Sequence, residues 1–153
     1  MPFLPRFGLR MFLPACMNQV QYFGFGPYES YVDKRQASCK HLYSTSVKAM
    51  HEHYLKPQEN GSHYDCSYAQ ISGSDARLTV TGESFSFSAS PYTQEELTKK
   101  EHAYEIESSG STVVCLDALM AGIGSNSCGP ELMEKYRTGT KVDFSWTIVP
   151  EIG

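Results

Sequence analysis

The sequence has no cluster of basic residues. Lys and Arg number 13 against 17 Asp and Glu, so the formal net charge is −4 and the pI is near 5.7. No run of like charge is longer than a pair such as Lys99-Lys100. Because nucleic-acid binding relies on grouped cations that neutralise phosphates, the composition predicts no nucleic-acid partner.

Cysteine pairs of the Cys-x-x-Cys type are also missing. The cysteines are odd in number and dispersed, at Cys16, Cys39, Cys66, Cys115 and Cys128. This pattern fits neither a closed disulfide framework nor a thiolate zinc site. Reduced thiols explain it best, which predicts a cytoplasmic protein.

Long apolar runs are absent, since no segment approaches the roughly twenty apolar residues that span a bilayer. Leu13-Pro14-Ala15-Cys16 resembles a lipoprotein processing site, but Pro5 and Arg10 interrupt the apolar stretch that a signal peptide requires. The sequence therefore predicts no membrane partner. Linkers and internal repeats are missing as well, so residues 1–153 are predicted to form a single domain.

Aromatic residues are abundant and many alternate with polar ones, a period that favours strands. The predicted strands are residues 7–13, 19–23, 64–71, 77–81, 85–89 and 142–149, and the apolar run 112–121 is strand-like. Side chains that share parity are expected to face the core or its edge together: Phe85, Phe87, Val142, Phe144, Trp146 and Ile148. Turn signals separate the strands, among them Gly82-Glu83.

Helix signals are few. Thr93 and Glu96 have the spacing of a capping box, and Lys99-Lys100 suit a helix C-terminus, so a short helix is predicted over residues 94–102. A second helical turn is predicted at residues 131–136. With short strands at intervals of about ten residues, the pattern predicts an all-β fold, an antiparallel β-sandwich with one or two short helices.

The loop of residues 122–130, Gly-Ile-Gly-Ser-Asn-Ser-Cys-Gly-Pro, follows the apolar run directly. Its glycines permit positive φ angles and its small polar residues offer hydrogen bonds without bulk, so it is suited to meet a ligand or a neighbouring domain. It lacks the third glycine of a dinucleotide fingerprint, and no Lys follows its last glycine as in a phosphate-binding loop.

Several groups of residues could carry chemistry. Acids are plentiful, but Glu29, Glu52, Glu59 and Asp65 lie in polar surroundings that favour a solvated face, and no pair stands out as a catalytic couple. Cys128 could be a nucleophile, yet no His lies close to it in the sequence. A catalytic assignment on this chain is therefore not supported.

Metal and sugar binding are two further hypotheses. His51 and His53 would share a face of a strand, with His63 and Cys66 as further ligands, although dispersed His residues on polar strands are usually exposed and unliganded. The aromatic residues Tyr22, Phe23, Phe25, Tyr28 and Tyr31 could stack on sugar rings, and packing in the core or at turns is the favoured alternative.

Three segments carry a family resemblance. Gly24-Phe-Gly-Pro-Tyr-Glu-Ser-Tyr-Val-Asp-Lys-Arg35 resembles the Gly-x-Gly-Pro-x-Glu-x-Tyr-x-Asp-Arg segment in the C-terminal, small-chain-like fifth domain of β-galactosidases of glycoside hydrolase family 2. Pro57-Gln-Glu-Asn-Gly61 resembles that domain's Pro-x-Glu-Asn-Gly turn, and residues 120–130 are similar to its Met-Gly-Ile-Gly loop. The motifs occur in the family's order across nearly the whole chain.

The resemblance implies half of a β-supersandwich of the galactose-mutarotase-like kind. It implies a parent enzyme, a retaining glycosidase that hydrolyses terminal β-galactosides such as lactose, whose catalytic Glu pair lies on a barrel domain elsewhere. No catalytic residue, metal or cofactor is expected on this chain, since Mg and Na in that family are often bound elsewhere. The isolated chain is predicted to be inactive, and its partners are the remaining domains and the galactoside.

In the family, the loop of this last domain borders the active site, where some members have a Trp that stacks on the outer sugar. The corresponding substrate-rim residues here are Ser125, Asn126, Ser127 and Cys128, with Cys128 at the Trp position and the loop one residue shorter. A thiol has much less apolar face than an indole, so weaker or different aglycone contact is expected.

Two alternatives remain open at this point: a free-standing carbohydrate-binding module, and a small metalloenzyme that uses His51, His53 and His63. Exposed apolar strand surface on an isolated half-sandwich also predicts possible self-association.

Overall fold

Seven antiparallel strands dominate the computed structural model, which describes residues 3–123 and 131–153. The strands are β1 (Arg6–Pro14), β2 (Gln19–Gly26), β3 (Cys39–Ser46), β4 (His63–Ser72), β5 (Ala76–Ser90), β6 (Ser111–Met120) and β7 (Trp146–Ile152). One α-helix, α1, covers Gln94–Lys99, and short 3-10 turns lie at Ala103–Glu105 and Glu134–Tyr136.

The strands hydrogen-bond in the order β1-β6-β5-β4-β2-β3, and β7 pairs with β5. Residues 76–82 of β5 pair with β7 and residues 86–90 pair with β6, while β4 lies along the other side of β5. The long strand β5 is therefore shared by both parts of the sheet.

The sheet must fold over itself. In a flat sheet β1 and β2 would lie four strand spacings apart, about 19 Å. The chain from Pro14 to Gln19 reaches roughly 17 Å when fully extended, and the hydrogen bond from Met17 N–H to the Pro14 carbonyl, 2.9 Å, shortens it further. The strands thus form layers around a core, and the predicted all-β antiparallel sandwich class is confirmed.

The core lies on the inner face of the folded sheet. Tyr22 of β2 and Phe87 of β5 bring their ring centroids to 6.2 Å. Large inner side chains below 2% exposure include Tyr22, Ile71, Val80, Phe87, Val114 and Leu116. They come from β2, β4, β5 and β6, so burial of alternate residues on these strands joins both parts of the sheet.

The predicted break at Gly82-Glu83 is wrong, because β5 continues through it and joins the predicted strands 77–81 and 85–89. A Cβ on Gly82 would lie 2.7 Å from the Trp146 ring of the neighbouring strand. Glycine is present there to make room for an indole rather than to turn the chain.

The last strand begins later than predicted, at Trp146 instead of residue 142, and β3 was not predicted at all. Of the residues expected to share a face, Phe85 and Phe87 are buried, Trp146 and Ile148 pack against the core, and Phe144 is 44% exposed. β3 is an edge strand with mostly exposed side chains, so it has no buried alternation to signal it.

The predicted helix is confirmed but shorter, ending at Lys99. Thr93 Oγ1 accepts the Glu96 N–H at 3.1 Å, as a cap should. The Glu96 carboxylate accepts the N–H of Glu107 at 2.9 Å, which anchors the segment that leads to β6. The second predicted turn, residues 131–136, is present as the 3-10 turn Glu134–Tyr136.

Candidate functional site

Glu29 lies at the centre of the segment 24–35, which leaves the end of β2. The residue is 7% exposed, and its carboxylate accepts hydrogen bonds from Lys34 Nζ, the Tyr54 hydroxyl, the Tyr31 hydroxyl at 3.2 Å and the Gly61 N–H at 3.0 Å. The expectation of a solvated Glu29 is therefore wrong. Donors from distant segments replace the water that this carboxylate loses on burial.

The charge state of Glu29 follows from these donors. Burial by itself would raise its pKa, but the hydrogen bonds from Lys34, Tyr54 and Gly61 lower the pKa below its ordinary value. Burial, followed by the negative charge of Glu29, raises the pKa of Tyr31, so this hydroxyl keeps its proton. Glu29 is a hydrogen-bonded anion at neutral pH, which suits a structural role and not that of a general acid.

Ser30 and His63 hold the other side of the same segment. Ser30 Oγ donates to the Phe25 carbonyl at 2.9 Å and accepts the Tyr64 N–H at 2.8 Å. His63 Nδ1 is 3.0 Å from the Phe25 carbonyl, and because a carbonyl only accepts, Nδ1 carries the proton. The ring stacks on Tyr22 at 4.1 Å, and burial lowers the His63 pKa to about 4.

Asp33 connects the same segment to the start of the 122–130 loop. Its Oδ1 accepts the Ile123 N–H at 3.1 Å, and Gly122 packs against the carboxyl group so closely that a Cβ there would lie 2.5 Å from Cγ. The loop therefore begins directly on residues of the 24–35 segment.

Arg6 of β1 joins two further acids. Its Nε donates to Asp117 Oδ1 at 2.9 Å, a second nitrogen contacts Oδ2, and Nη1 pairs with Glu59. The Asp117 side chain is 5% exposed; burial raises its pKa and the Arg6 guanidinium opposes this. The Arg6 guanidinium thus joins β1 to β6 through a bidentate pair with Asp117, and to the 57–61 segment through Glu59.

Segments 24–35, 57–61 and 120–123 meet at one place, which we call the motif junction. Glu29 binds Gly61, Asp33 binds Ile123, and Ser62 Oγ lies 3.6 Å from Met120 Sδ. An open groove of about 350 Å³ lies beside Glu29, and Tyr28, Lys34, Arg35, Glu52 and Tyr54 are among its lining residues. The described parts of the three motifs that carried the sequence resemblance, which end at Ile123 in the third motif, therefore contact one another.

The predicted rim residues Ser125, Asn126, Ser127 and Cys128 lie outside the described residues. The structure places the chain up to Ile123, on Asp33, and again from Glu131.

The residues of the metal hypothesis are only partly brought together. His51 and His53 have ring centroids 5.1 Å apart, whereas His63 is buried against Tyr22 and Cys66 Sγ donates to the His63 carbonyl at 3.4 Å. The expectation that such His residues are exposed is wrong for His63. Within residues 3–123 and 131–153, no group of three or more His, Cys, Asp or Glu is arranged to hold a metal ion.

The aromatic group is divided between two environments. Tyr22 and Tyr31 are buried, while Phe23 and Tyr28 are 37% and 61% exposed. The Arg35 guanidinium lies 5.4 Å from the centre of the Phe25 ring. These five rings do not form a single sugar platform, and core packing, the favoured alternative, holds for Tyr22 and Tyr31.

Sequence reasoning missed Arg6, Asp117 and Tyr54, which make contacts around the motif junction. Asp117 carried a usable signal, since it is a charged residue inside the apolar run 112–121 and a buried carboxylate needs a partner. Arg6 and Tyr54 gave none, because their roles depend on contacts with residues 111 and 25 positions away.

In the described part of the chain, no helix has the length and apolarity needed to cross a membrane. The chain has an all-β, antiparallel fold in which the described parts of the three motif segments hydrogen-bond to one another or pack together. Residues 2–149 match the family model described as the β-galactosidase small chain.

The chain belongs to this β-galactosidase small chain family. It is 52% identical over 137 residues to a β-galactosidase of Actinobacillus pleuropneumoniae, covering 90% of this chain and 13% of that protein. It is 40% identical over 149 residues to one of Staphylococcus xylosus, covering 96% and 15%. A β-galactosidase of Vibrio cholerae is 36% identical over 138 residues, covering 87% and 13%. The chain therefore spans well under a fifth of the length of these relatives.

Proposed function

We propose that this chain is a C-terminal portion of a cytoplasmic, retaining β-galactosidase that hydrolyses terminal β-D-galactosides such as lactose. The chain packs on the catalytic barrel and lends Ser125, Asn126, Ser127 and Cys128 to the rim of the substrate site. The observation that carries this proposal is the motif junction, in which Asp33 holds the start of the 122–130 loop. The family match and the small share of its relatives' length support a role within a larger enzyme.

The bond-breaking carboxylates belong to the parent enzyme outside this chain. Glu29 is held ionised by hydrogen bonds and Asp117 is paired with Arg6, so these two buried acids are committed to structural contacts. Four cysteines, Cys16, Cys39, Cys66 and Cys115, are free thiols, which supports a reducing compartment.

An apolar strip on the molecule supports packing against the rest of the parent. Phe7, Leu9 and Phe144 are 44%, 48% and 44% exposed, and Phe7 and Phe144 have ring centroids 6.0 Å apart. Phe144 continues this contact to Trp146 at 4.5 Å and so to the core. Without the parent domains the strip faces water, which favours self-association of the isolated chain. Sedimentation as a monomer at high concentration would refute that association.

Activity of the separated pieces tests the proposal. The full parent enzyme should cleave a chromogenic galactoside, and the purified chain, prepared from a host without its own β-galactosidase, should not. Robust turnover by the purified chain would overturn the proposal.

The rim role has its own test, Cys128→Trp in the parent enzyme. An indole restores a face on which a sugar can stack, so affinity for sugar aglycones and transglycosylation should change more than the cleavage step. An unchanged kinetic profile over several aglycones would contradict the rim role.

One observation favours the alternative, a carbohydrate-binding module. Tyr28 is 61% exposed beside the open groove next to Glu29, where a ring could stack on a sugar. Calorimetry of the purified chain with galactose and lactose separates the two functions, because only a free-standing module binds sugar by itself.

A further inference from the structure

Asp33 and the backbone of residues 122–123 are packed against each other. The Asp33 carboxylate accepts the Ile123 N–H at 3.1 Å across 90 positions of sequence. A Cβ on Gly122 would lie 2.5, 2.6 and 2.7 Å from Cγ, Oδ2 and Oδ1 of Asp33, closer than any side chain tolerates. Glycine is therefore required at residue 122 for the carboxylate to reach the next amide.

Three successive amides fix the exit of the chain from β6. Ala121 N–H donates to the Pro5 carbonyl and Gly122 N–H to the Tyr136 carbonyl, both at 2.9 Å, and Ile123 N–H donates to Asp33. The first two acceptors are backbone groups that no substitution removes. Asp33 is the side-chain acceptor of the three, so its identity determines how firmly residues 121–123 are held.

We propose that Asp33 is a positioning residue that sets the path of the backbone at residues 121–123 and, through it, the selectivity of the parent enzyme for the group attached to galactose. The inference rests on the proposed function, in which the segment that follows residue 123 borders the substrate. Asp33 itself does not touch the reacting bond in this account. Asp33 acts by fixing the position of residues 121–123, from which the chain continues to the proposed rim residues.

The experiment uses the full parent β-galactosidase with Asp33→Ala, Asp33→Asn and Gly122→Ala. Hydrogen exchange at the Ile123 amide is measured first, because it reports the anchor without reference to activity. Loss of a charged acceptor in Asp33→Ala should accelerate that exchange about tenfold. Asp33→Asn keeps an acceptor oxygen and should recover most of the protection.

Kinetics are then measured with lactose and with nitrophenyl galactosides. In Asp33→Ala we expect KM for lactose, or its partition into transglycosylation, to change about three- to tenfold with kcat for the aryl substrate within about twofold. Asp143→Ala removes an exposed carboxylate, and Gly139→Ala adds a methyl group where nothing lies within 4 Å, so these serve as matched controls.

The double variant Asp33→Ala with Gly122→Ala provides an internal check. Removing the carboxyl group removes the clash with a new Cβ, so Gly122→Ala should add little to Asp33→Ala although it alters exchange and KM in the native background. Strict additivity of the two effects would overturn a direct contact.

The outcomes separate the inference from the function on which it rests. Unchanged exchange at Ile123 in Asp33→Ala overturns the anchor. Faster exchange with unchanged kinetics, while Cys128→Trp still alters aglycone selectivity, overturns the positioning role and leaves the rim role standing. Unchanged kinetics in both variants overturns the rim role itself.

Discussion

Glu29 accepts the backbone N–H of Gly61 at 3.0 Å, although 32 positions separate the two residues in the sequence. Gly61 has φ of +71°, a conformation that L side chains rarely adopt, and a Cβ there would overlap the Met50 carbonyl. Glycine at residue 61 thus permits the backbone conformation in which this N–H is held by the acid of a separate motif.

Replacing Glu29 should destabilise the domain. Glu29→Ala leaves the Gly61 N–H and the Tyr31 hydroxyl without their acceptor, and we expect the free energy of unfolding to fall by about 3 kcal/mol. Urea unfolding of the chain measures this loss. Glu83→Gln, at an exposed position of β5, is the control and should change stability by less than about 0.5 kcal/mol. Equal effects of the two variants would contradict the structural role of Glu29.

Stability should fall on acidification because His63 is buried as a neutral ring. Its pKa is about 4 in the folded state and about 6.5 when unfolded, so the unfolded chain binds a proton first as the pH falls. Between pH 7 and pH 5 this group should cost about 2 kcal/mol of stability. The pKa of Glu29 is lowered in the folded chain, so its contribution to stability is lost only when the pH falls below its ordinary pKa of 4.5. That range lies outside the interval from pH 7 to pH 5.

The comparison of His63→Asn with the native chain isolates this effect. The variant should show a flatter dependence of unfolding free energy on pH between 5 and 7, since it has no ring to titrate. His41→Asn replaces an exposed ring on the edge strand β3 and controls for the effect of the substitution itself. An unaltered slope in His63→Asn would show that another group is responsible.

Gly24 should not tolerate a side chain. A Cβ there would overlap Cys66 Sγ and lie 3.2 Å from Cys66 Cα, so Gly24→Ala should cost about 2 kcal/mol through overpacking. Cys66→Ala removes the sulfur, and in that background the cost of Gly24→Ala should be smaller. Thermal unfolding of the single and double variants tests the contact, with Gly139→Ala as the open-site control. Additive costs would contradict it.

Arg6 should contribute far more to the free energy of unfolding than an exposed arginine does. Arg6→Ala leaves the buried Asp117 carboxylate without its bidentate partner, and we expect a loss of about 3 to 5 kcal/mol. Arg77 pairs with Glu151 at 3.6 Å and both side chains are more than half exposed, so Arg77→Ala should cost less than about 1 kcal/mol. Denaturant unfolding compares the two, and similar losses would count against a buried network.

The sequence predicted the strands whose buried side chains alternate, such as β2 with Val20 and Tyr22. Prediction from the sequence failed where a residue on a neighbouring strand determines the local structure. Gly82 has the composition of a turn, but the Trp146 ring beside it, 64 positions away in the sequence, explains it as a close approach within a strand. β3 lies at the edge of the sheet and most of its side chains are exposed, so its sequence does not show the alternation of apolar and polar residues that predicts a strand.

The candidate site shows the same division. The motifs were visible in the sequence, but the contacts between them were not. Those contacts depend on hydrogen bonds from the backbone amides of Gly61 and Ile123 to Glu29 and Asp33, which are distant in the sequence. Glu29 was predicted to be solvated since a single sequence does not reveal which donors fold onto an acid. Its burial among Lys34, Tyr54 and Gly61 is a property of the tertiary structure.

Because one continuous strand, β5, is bonded to β4, β6 and β7, the two regions of the sheet cannot slide past each other without breaking that backbone's hydrogen bonds. A force applied to the end of β6 is transmitted along the backbone of β5 to the strands that pair with its other half. The folded sheet should therefore respond to mechanical stress as one stiff body.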